Sequence, residues 1–441
     1  MNQQTQKKEN SISMDQKKLL TYIFSSLLVF IIFVILIKAP VNPGYGITCI
    51  TFFALISIGI YYIRTIDKNY EPKMCRDKKF LKVVLVVVFS YIFYSLIGSS
   101  LFFSQDRFNT IEKTTKIENA QDLTNTQNYF KKVDVRTVNL QMAKAKAKRV
   151  LGEQFEGRNI SSQFELGKGS VILVKGIQQW VFPLEYSSIF KWLSFDYTPG
   201  YITVSATDPN KEAELKITKM YFQESGYFYQ SVSRKAWVAS GLRGYDLHFE
   251  IDDKGNPFYV GGLYKKQTFL SGVYTDKSIV INAVSGEVDI YKIGEQPEWI
   301  DYVISEKRAE EYLDWNGAYE KGFWNSIWGE NLETTTGEGL WSVVLNSKQY
   351  FYTGMTSPNR SNNNSLITVR YFYIGMTSPN RSENSLIGVR LFNPRNNEQF
   401  VFNNFSGLMD ESGALDSIDS ALGSDSQRWD VVLPQIKEVD G

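Results

Sequence analysis

The chain has 441 residues, 43% of them hydrophobic, with 48 basic against 47 acidic side chains and a formal net charge of +1. That length is enough for two or three domains. The charge balance argues against a nucleic-acid binder, which needs a basic excess or a basic face. A single histidine, His248, excludes an HExxH zinc site, and two cysteines, Cys49 and Cys75, are too few for a thiolate zinc site or a disulfide framework. No cofactor or metal is expected. The averages hide a division: all nine tryptophans follow residue 170, and the uninterrupted apolar runs precede residue 104.

Residues 1–18 read as a cytoplasmic tail. Three uncharged segments follow, Leu19–Ile37, Tyr45–Ile63 and Val83–Phe103, of 19, 19 and 21 residues. About 20 residues of helix cross roughly 30 Å of hydrocarbon, so residues 19–103 are expected to form a three-helix transmembrane anchor in the lipid bilayer. The first segment is too long for the apolar region of a signal peptide, and no small-residue cleavage site follows it. Pro40, Pro43 and Gly44 read as a tight turn. Arg64, Lys68, Lys73, Arg76, Lys78, Lys79 and Lys82 fill the second connector, and Lys7, Lys8, Lys17 and Lys18 the tail. Basic loops stay inside, which places the N-terminus in the cytoplasm and residues 104–441 outside the membrane. No span carries Asp, Glu, Lys, Arg or His, so the segments read as an anchor rather than an ion pathway. A small homo-oligomeric pore is the alternative, with Gly98, Ser99 and Ser100 as a helix-packing cluster.

Residues 104–441 hold 36 basic against 42 acidic side chains and no cysteine, which suits an oxidising exterior. Residues 104–133 are polar and read as a linker. The spacing of Val138, Met142, Ala145, Val150 and Leu151 predicts a helix over 138–154. Val171–Val174, Gln179–Leu184 and Tyr201–Ala206 predict strands. A strand, a polar turn and a second strand recur from Ile202, from Ile279 and from Ile387. The turns are Asp208-Pro209-Asn210, Ser285-Gly286 and Pro394-Arg395-Asn396, all suited to hairpins. Residues 305–321 predict a helix with Ala309, Tyr312, Leu313 and Tyr319 on one side.

A helix followed by a meander whose last hairpin reads apolar-x-apolar-x-Ala-x-x-Gly-Glu-Val resembles the PepSY module, and Ser278–Tyr291 fits that pattern best. Three units follow from it, at 134–216, 217–300 and 301–441. The first has Asp-Pro-Asn-Lys-Glu in place of the Ser-Gly-Glu turn, and the third has Asn393 near the expected alanine. The layout also resembles multi-span bacterial and phage membrane proteins with PepSY-like repeats. Trp180-Val-Phe-Pro-Leu-Glu-Tyr, Lys191-Trp-Leu-Ser and Pro199-Gly-Tyr carry that likeness. The fold class implied is a membrane-anchored α+β protein, three transmembrane helices followed by repeated helix-plus-antiparallel-meander modules. The role implied is regulation of an extracytoplasmic peptidase, and no catalytic residues come with it.

A second repeat is of another kind. Tyr350–Arg370 and Tyr371–Arg390 share 17 of 20 positions once one asparagine is dropped. So close a match reads as a tandem duplication. It fuses two strands into one run of 12 residues, Ser365–Met376. An added strand would reverse everything downstream, so one copy is expected to leave the sheet as a surface excursion.

His248 sits in an alternating stretch and reads as a surface strand residue. Asp252-Asp253-Lys254-Gly255-Asn256 lacks EF-hand spacing and reads as a hairpin turn. Glu310, Glu311 and Asp314 lie among aromatics and are the candidate catalytic carboxylates of an envelope hydrolase. Glu310 and Asp314 share a helix face, and a solvated acidic face beside an aromatic core is the simpler account of them. Trp180, Trp192, Trp315, Trp324 and Trp328 are the candidate binding residues, since tryptophan anchors interfaces as readily as it fills cores. The Asn/Ser-rich tips at 357–364 and 378–385 are exposed-loop candidates. Together these features point to a non-enzymatic binding or regulatory protein of the cell envelope. Its expected partner is an envelope protein or glycan, with no nucleic acid, and self-association is compatible with it. An envelope hydrolase and a membrane pore are the alternatives.

Overall fold

Alternating strand sequences dominate the part of the chain that the structure, a computed structural model, describes. That part comprises residues 28, 100–117, 133–134, 136–152, 154–155, 158–266, 272–328, 334–335, 341–345, 348–356 and 388–403. It divides into two compact units. The larger draws its described residues from 104–236, 245–264 and 274–403. The other draws on 28, 100–103, 237–244, 265–266 and 272–273. Within residues 237–244 a helix end is closed by left-handed residues, with Gly241 at φ +72° and Leu242 at φ +63°. The Leu242 N–H donates to the Trp237 carbonyl at 2.7 Å, satisfying an acceptor that the helix leaves open.

In chain order the first elements are α1 (Ser100–Phe108), β1 (Lys113–Ile117), β2 (Val133–Asp134), α2 (Leu140–Val150), β3 (Gln154–Phe155) and β4 (Arg158–Asn159). Then come β5 (Phe164–Leu166), β6 (Ser170–Val174), β7 (Ile177–Tyr186), α3 (Ile189–Ser194), β8 (Thr198–Ser205), β9 (Glu214–Met220) and α4 (Val232–Ala239). Next are β10 (His248–Ile251), β11 (Pro257–Lys266), β12 (Val273–Asn282), β13 (Val288–Lys292), α5 (Glu306–Tyr319) and α6 (Phe323–Trp328). The last are β14 (Thr334–Thr335), β15 (Trp341–Leu345), β16 (Lys348–Thr356), β17 (Gly388–Asn393) and β18 (Glu398–Asn403).

The first sheet has the order β5-β7-β8-β9, with β6 also paired to β7, and every pair is antiparallel. Alternation sends Trp180, Phe182, Leu184, Ile202 and Val204 to one face, where they meet Ala143, Ala147 and Val150 of α2. The Asn139 side chain caps α2 by accepting from the Met142 N–H at 2.8 Å, and Lys148 and Arg149 complement its C-terminal end. The other face brings Ile172, Val181 and Tyr201 against Phe249, Ile251, Tyr259, Ile279 and Ile281 of the second sheet, whose order is β10-β11-β12-β13. A third core gathers Ile300, Val303, Ile304, Tyr312, Leu313, Phe351 and Phe392 around α5. Each fully buried Phe or Tyr in these cores contributes about 2 kcal/mol from apolar area alone.

The three predicted hairpins are present as β8–β9, β12–β13 and β17–β18. The helix predicted at 138–154 runs over Leu140–Val150, and the one at 305–321 over Glu306–Tyr319. β16 pairs with β17, so the start of the first duplicated copy is joined directly to the end of the second. The fused run Ser365–Met376 and the tips at 357–364 and 378–385 lie outside the described residues.

The expected fold class needs correction. Among the described residues no helix is long and apolar enough to cross a membrane. The longest helix among the described residues, α5, has 14 residues and carries Glu306, Lys307, Arg308, Glu310, Glu311 and Asp314. Its rise of about 21 Å falls short of a bilayer's hydrocarbon core. The integral-membrane location and the extracytoplasmic placement of 104–441 are corrected with it. Residues 19–37, 45–63 and 83–103 themselves lie outside the described residues, apart from Leu28 and residues 100–103. The architecture described is α+β, with short helices and mostly antiparallel sheets.

The repeated-module reading is corrected too. Its units should each close their own sheet, yet the third sheet has the order β1-β18-β17-β16-β15-β2, with β14 on β16. It therefore recruits β1 and β2 from ahead of or at the very start of the first expected unit. β1 lies parallel to β18, pairing Thr115 with Phe400, so residues read as linker form part of a sheet.

Candidate functional site

Large apolar side chains are normally the first to be buried, so a cluster of them left in solvent marks a place of interaction. Such a cluster lies where α3 meets the segment that follows β9. Ser188 begins α3, its hydroxyl accepting from the Lys191 N–H at 3.4 Å, and no residue of the helix is buried. Phe190 is 75% exposed and Leu193 68%, while Phe228 and Tyr229 opposite them are 65% and 71% exposed. Ile189 and Tyr227 extend the surface.

Trp192 stands between the two halves. Its ring lies 5.3 Å from Tyr227 and 5.8 Å from Phe228, centroid to centroid. Its indole N–H donates to Gln230 Oε1. Gln230 is itself buried, and its amide donates to the Asp196 carbonyl at 2.9 Å. One side chain thus ties α3, Asp196 two residues beyond it and the segment at 227–230 together.

The segment that carries the rings is fixed from below. Gln223 and Gln230 close it through a backbone bond of 3.2 Å, and the Val232 N–H returns to the Gln223 carbonyl at 3.1 Å. The Gln223 amide donates to Thr198 Oγ1 at 3.0 Å. Buried Glu185, on β7, accepts from the Ser225 N–H at 2.9 Å and from the Tyr259 hydroxyl at 2.8 Å. Burial raises the Glu185 carboxyl above its usual range, against the lowering effect of the Ser225 bonds. Phe228 holds a left-handed backbone, φ +51°, which a bulky residue adopts only under constraint. The shelf is therefore a built, pinned surface that displays rings outward.

The other predicted binding residues lie elsewhere. Trp180 is buried in the first core, stacked 6.2 Å from Phe182, with its N–H on the Val138 carbonyl at 2.8 Å. Trp315 packs against the third core, with Arg107 5.3 Å above its ring. Trp324 is 60% exposed on α6, with Phe323 5.3 Å away. Trp328 ends α6, and its side chain is outside the described residues. Of the carboxylates, Glu311 is taken by Arg308, which also lies 4.7 Å over Tyr264. Glu310 and Asp314 lie four residues apart on α5, and burial, then the nearby Asp314, raises the Glu310 carboxyl. Among the described residues no group of His, Cys, Asp and Glu could hold a metal. Asp252–Asn256 forms the β10–β11 turn, with Asp252 accepting from the N–H groups of Lys254 and Asn256 at 2.9 and 2.8 Å.

His248 is not at the surface. It is buried, 2.8 Å from Glu250, and stacked on Tyr302 at 3.7 Å. Asp301 accepts from the Leu173 N–H, and its own N–H donates to Glu250 at 3.4 Å. Burial lowers His248 to about 3 and raises Glu250 to about 8. Burial and the neighbouring Glu250 hold Asp301 well above the usual carboxylate range. The pair is neutral at intermediate pH, as a cluster set in the core requires.

The sequence matches no protein-family model, no curated protein and no solved structure. The PepSY-like assignment accordingly gains no support from relatives. The reading of function rests on the shelf alone.

Proposed function

We propose that this is a non-enzymatic binding protein whose aromatic shelf, Phe190, Trp192, Leu193, Tyr227, Phe228 and Tyr229, takes a protein partner. The observation that carries the reading is the exposure of Phe190, Leu193, Phe228 and Tyr229 on a scaffold pinned by Gln223, Gln230 and Glu185. Aromatic side chains held rigid and left in water are favoured anchors of protein interfaces. Leu193 and Ile189 lie among the rings and offer no hydrogen bonds, which favours an apolar protein surface over a sugar. Order in the free shelf lowers the entropic cost of association.

A photo-reactive amino acid at Phe190 or Tyr229 in the full chain, with Ile290 as a remote exposed control, tests it. The expected result is one protein crosslinked from both shelf positions and not from Ile290, and lost when Leu193→Asp is added. Equal yields from all three positions, or a crosslink indifferent to Leu193→Asp, would overturn the proposal.

A further inference from the structure

A second surface lies beside β9, independent of the shelf. β9 is the last strand of its sheet, and among the described residues nothing pairs with its outer edge. The direction of its backbone groups follows from Gly200. This residue has φ +141° and sits where the register between β8 and β9 shifts. A Cβ there would collide with the Lys216 carbonyl oxygen and come within 2.9 Å of the Thr218 nitrogen. Lys216 and Thr218 therefore turn their backbone groups toward β8. Alternation along the strand then turns the N–H and C=O of Leu215 and Ile217 outward.

A groove of about 800 Å³ runs beside this edge. Gln179, Thr203 and Ser205 of β7 and β8 floor it, and the β10–β11 turn walls it. Four lysines line it, Lys175, Lys211, Lys216 and Lys254, against Glu212, Glu214 and Asp253. Glu214 is ion-paired with Lys216 at 2.5 Å, and Asp253 accepts the Lys175 backbone N–H at 3.1 Å. Asp253 keeps its charge and Glu214 also lies near Lys211, so the four lysines outnumber the three carboxylates by one. Ile217 and Ile177 stand in solvent beside them, 66% and 57% exposed.

We infer that β9 accepts an extended acidic peptide as an added strand, its backbone on Leu215 and Ile217 and its carboxylates on the lysines of the groove. Strand addition takes affinity from main-chain hydrogen bonds and specificity from alternate side chains, and this edge offers both. A second copy fits less well. Antiparallel pairing centred on Ile217 would set the Lys216 side chains of the two copies diagonal to each other, on the same face.

The test is fluorescence anisotropy of the full chain with a labelled peptide of alternating Asp and Val, against its Lys/Val counterpart. The acidic peptide should bind about tenfold or more tightly, and lose affinity as salt rises. Ile217→Pro removes an outward N–H without touching the ladder to β8, so the variant should keep its Tm. It should weaken the acidic peptide by about tenfold. Lys254→Glu, on the exposed turn, should weaken it several-fold with the fold intact. No binding, equal affinity for both peptides, or unchanged affinity in a folded Ile217→Pro or Lys254→Glu would each overturn the inference. A dimer in light scattering that Ile217→Pro dissolves, with no peptide bound, would overturn it in favour of a second copy.

Discussion

Trp192 donates its indole N–H to the side-chain oxygen of Gln230, a buried glutamine 38 residues further along the chain. The half-exposed ring is thereby oriented by a core residue. Replacing Gln230 with Leu leaves that N–H and the Asp196 carbonyl without this partner. The expected cost is about 1–3 kcal/mol, read from urea unfolding. An unchanged midpoint would mean that the ring is held by its neighbours alone.

Phe190 and Leu193 should behave in the opposite way. Both are more than two-thirds exposed, so Phe190→Ser with Leu193→Ser removes little buried area. Stability should change by no more than about 0.5 kcal/mol. Binding of the fluorophore ANS, which reports exposed apolar surface, should fall clearly. A large loss of stability would show that the two side chains are packed, and would remove the shelf as a free surface.

Much of the fold is legible in the sequence, and the reason is local. Alternation on β8 and β9, with turn residues Asp208-Pro209-Asn210, specifies a hairpin without reference to distant residues. The parallel pairing of β1 with β18 has no such signal, since its partners are 285 residues apart. The shelf is harder still. Trp180 and Trp192 sit twelve positions apart in similar aromatic surroundings, yet one is core and the other is half-exposed. Their tertiary places separate them: Trp180 lies inside the first core with its N–H on Val138, and Trp192 packs on the edge of that core with its N–H on Gln230. His248 misleads for a related reason: its alternating context fits a surface strand, while Glu250 and Tyr302 make burial tolerable.

The buried cluster predicts a defined pH range of stability. His248 titrates near 3 in the folded chain and near 6.5 when unfolded, so the unfolded state holds the extra proton between those values. Stability therefore falls as pH drops through that window. Glu250 titrates near 8 folded and near 4.5 unfolded, so the folded state holds the extra proton there, and stability falls as pH rises from 4.5 toward 8. Asp301, Glu185 and Glu306 are raised by burial and add to the alkaline loss. The Tm of the purified chain should peak at about pH 5–6 and decline on both sides. Glu250→Gln cannot ionise and should flatten the alkaline limb while leaving the acid limb. An alkaline limb of unchanged slope would assign it to other groups.

Phe228 separates strain from recognition. Its left-handed backbone, φ +51°, costs an ordinary residue about 1 kcal/mol and costs glycine almost nothing. Its ring is largely exposed, so little burial is lost with it. Phe228→Ala removes the ring and keeps the strain; Phe228→Gly removes both. The glycine variant should therefore be more stable than the alanine variant by about 1 kcal/mol, measured by urea unfolding. Both should lose partner crosslinking from Phe190 to the same degree, because both lack the ring. If the alanine variant were the more stable one, the backbone at 228 would be unstrained and the shelf would lose its mark of a surface held in place for binding. If only the glycine variant lost the crosslink, recognition would depend on the shape of the segment rather than on the ring it displays.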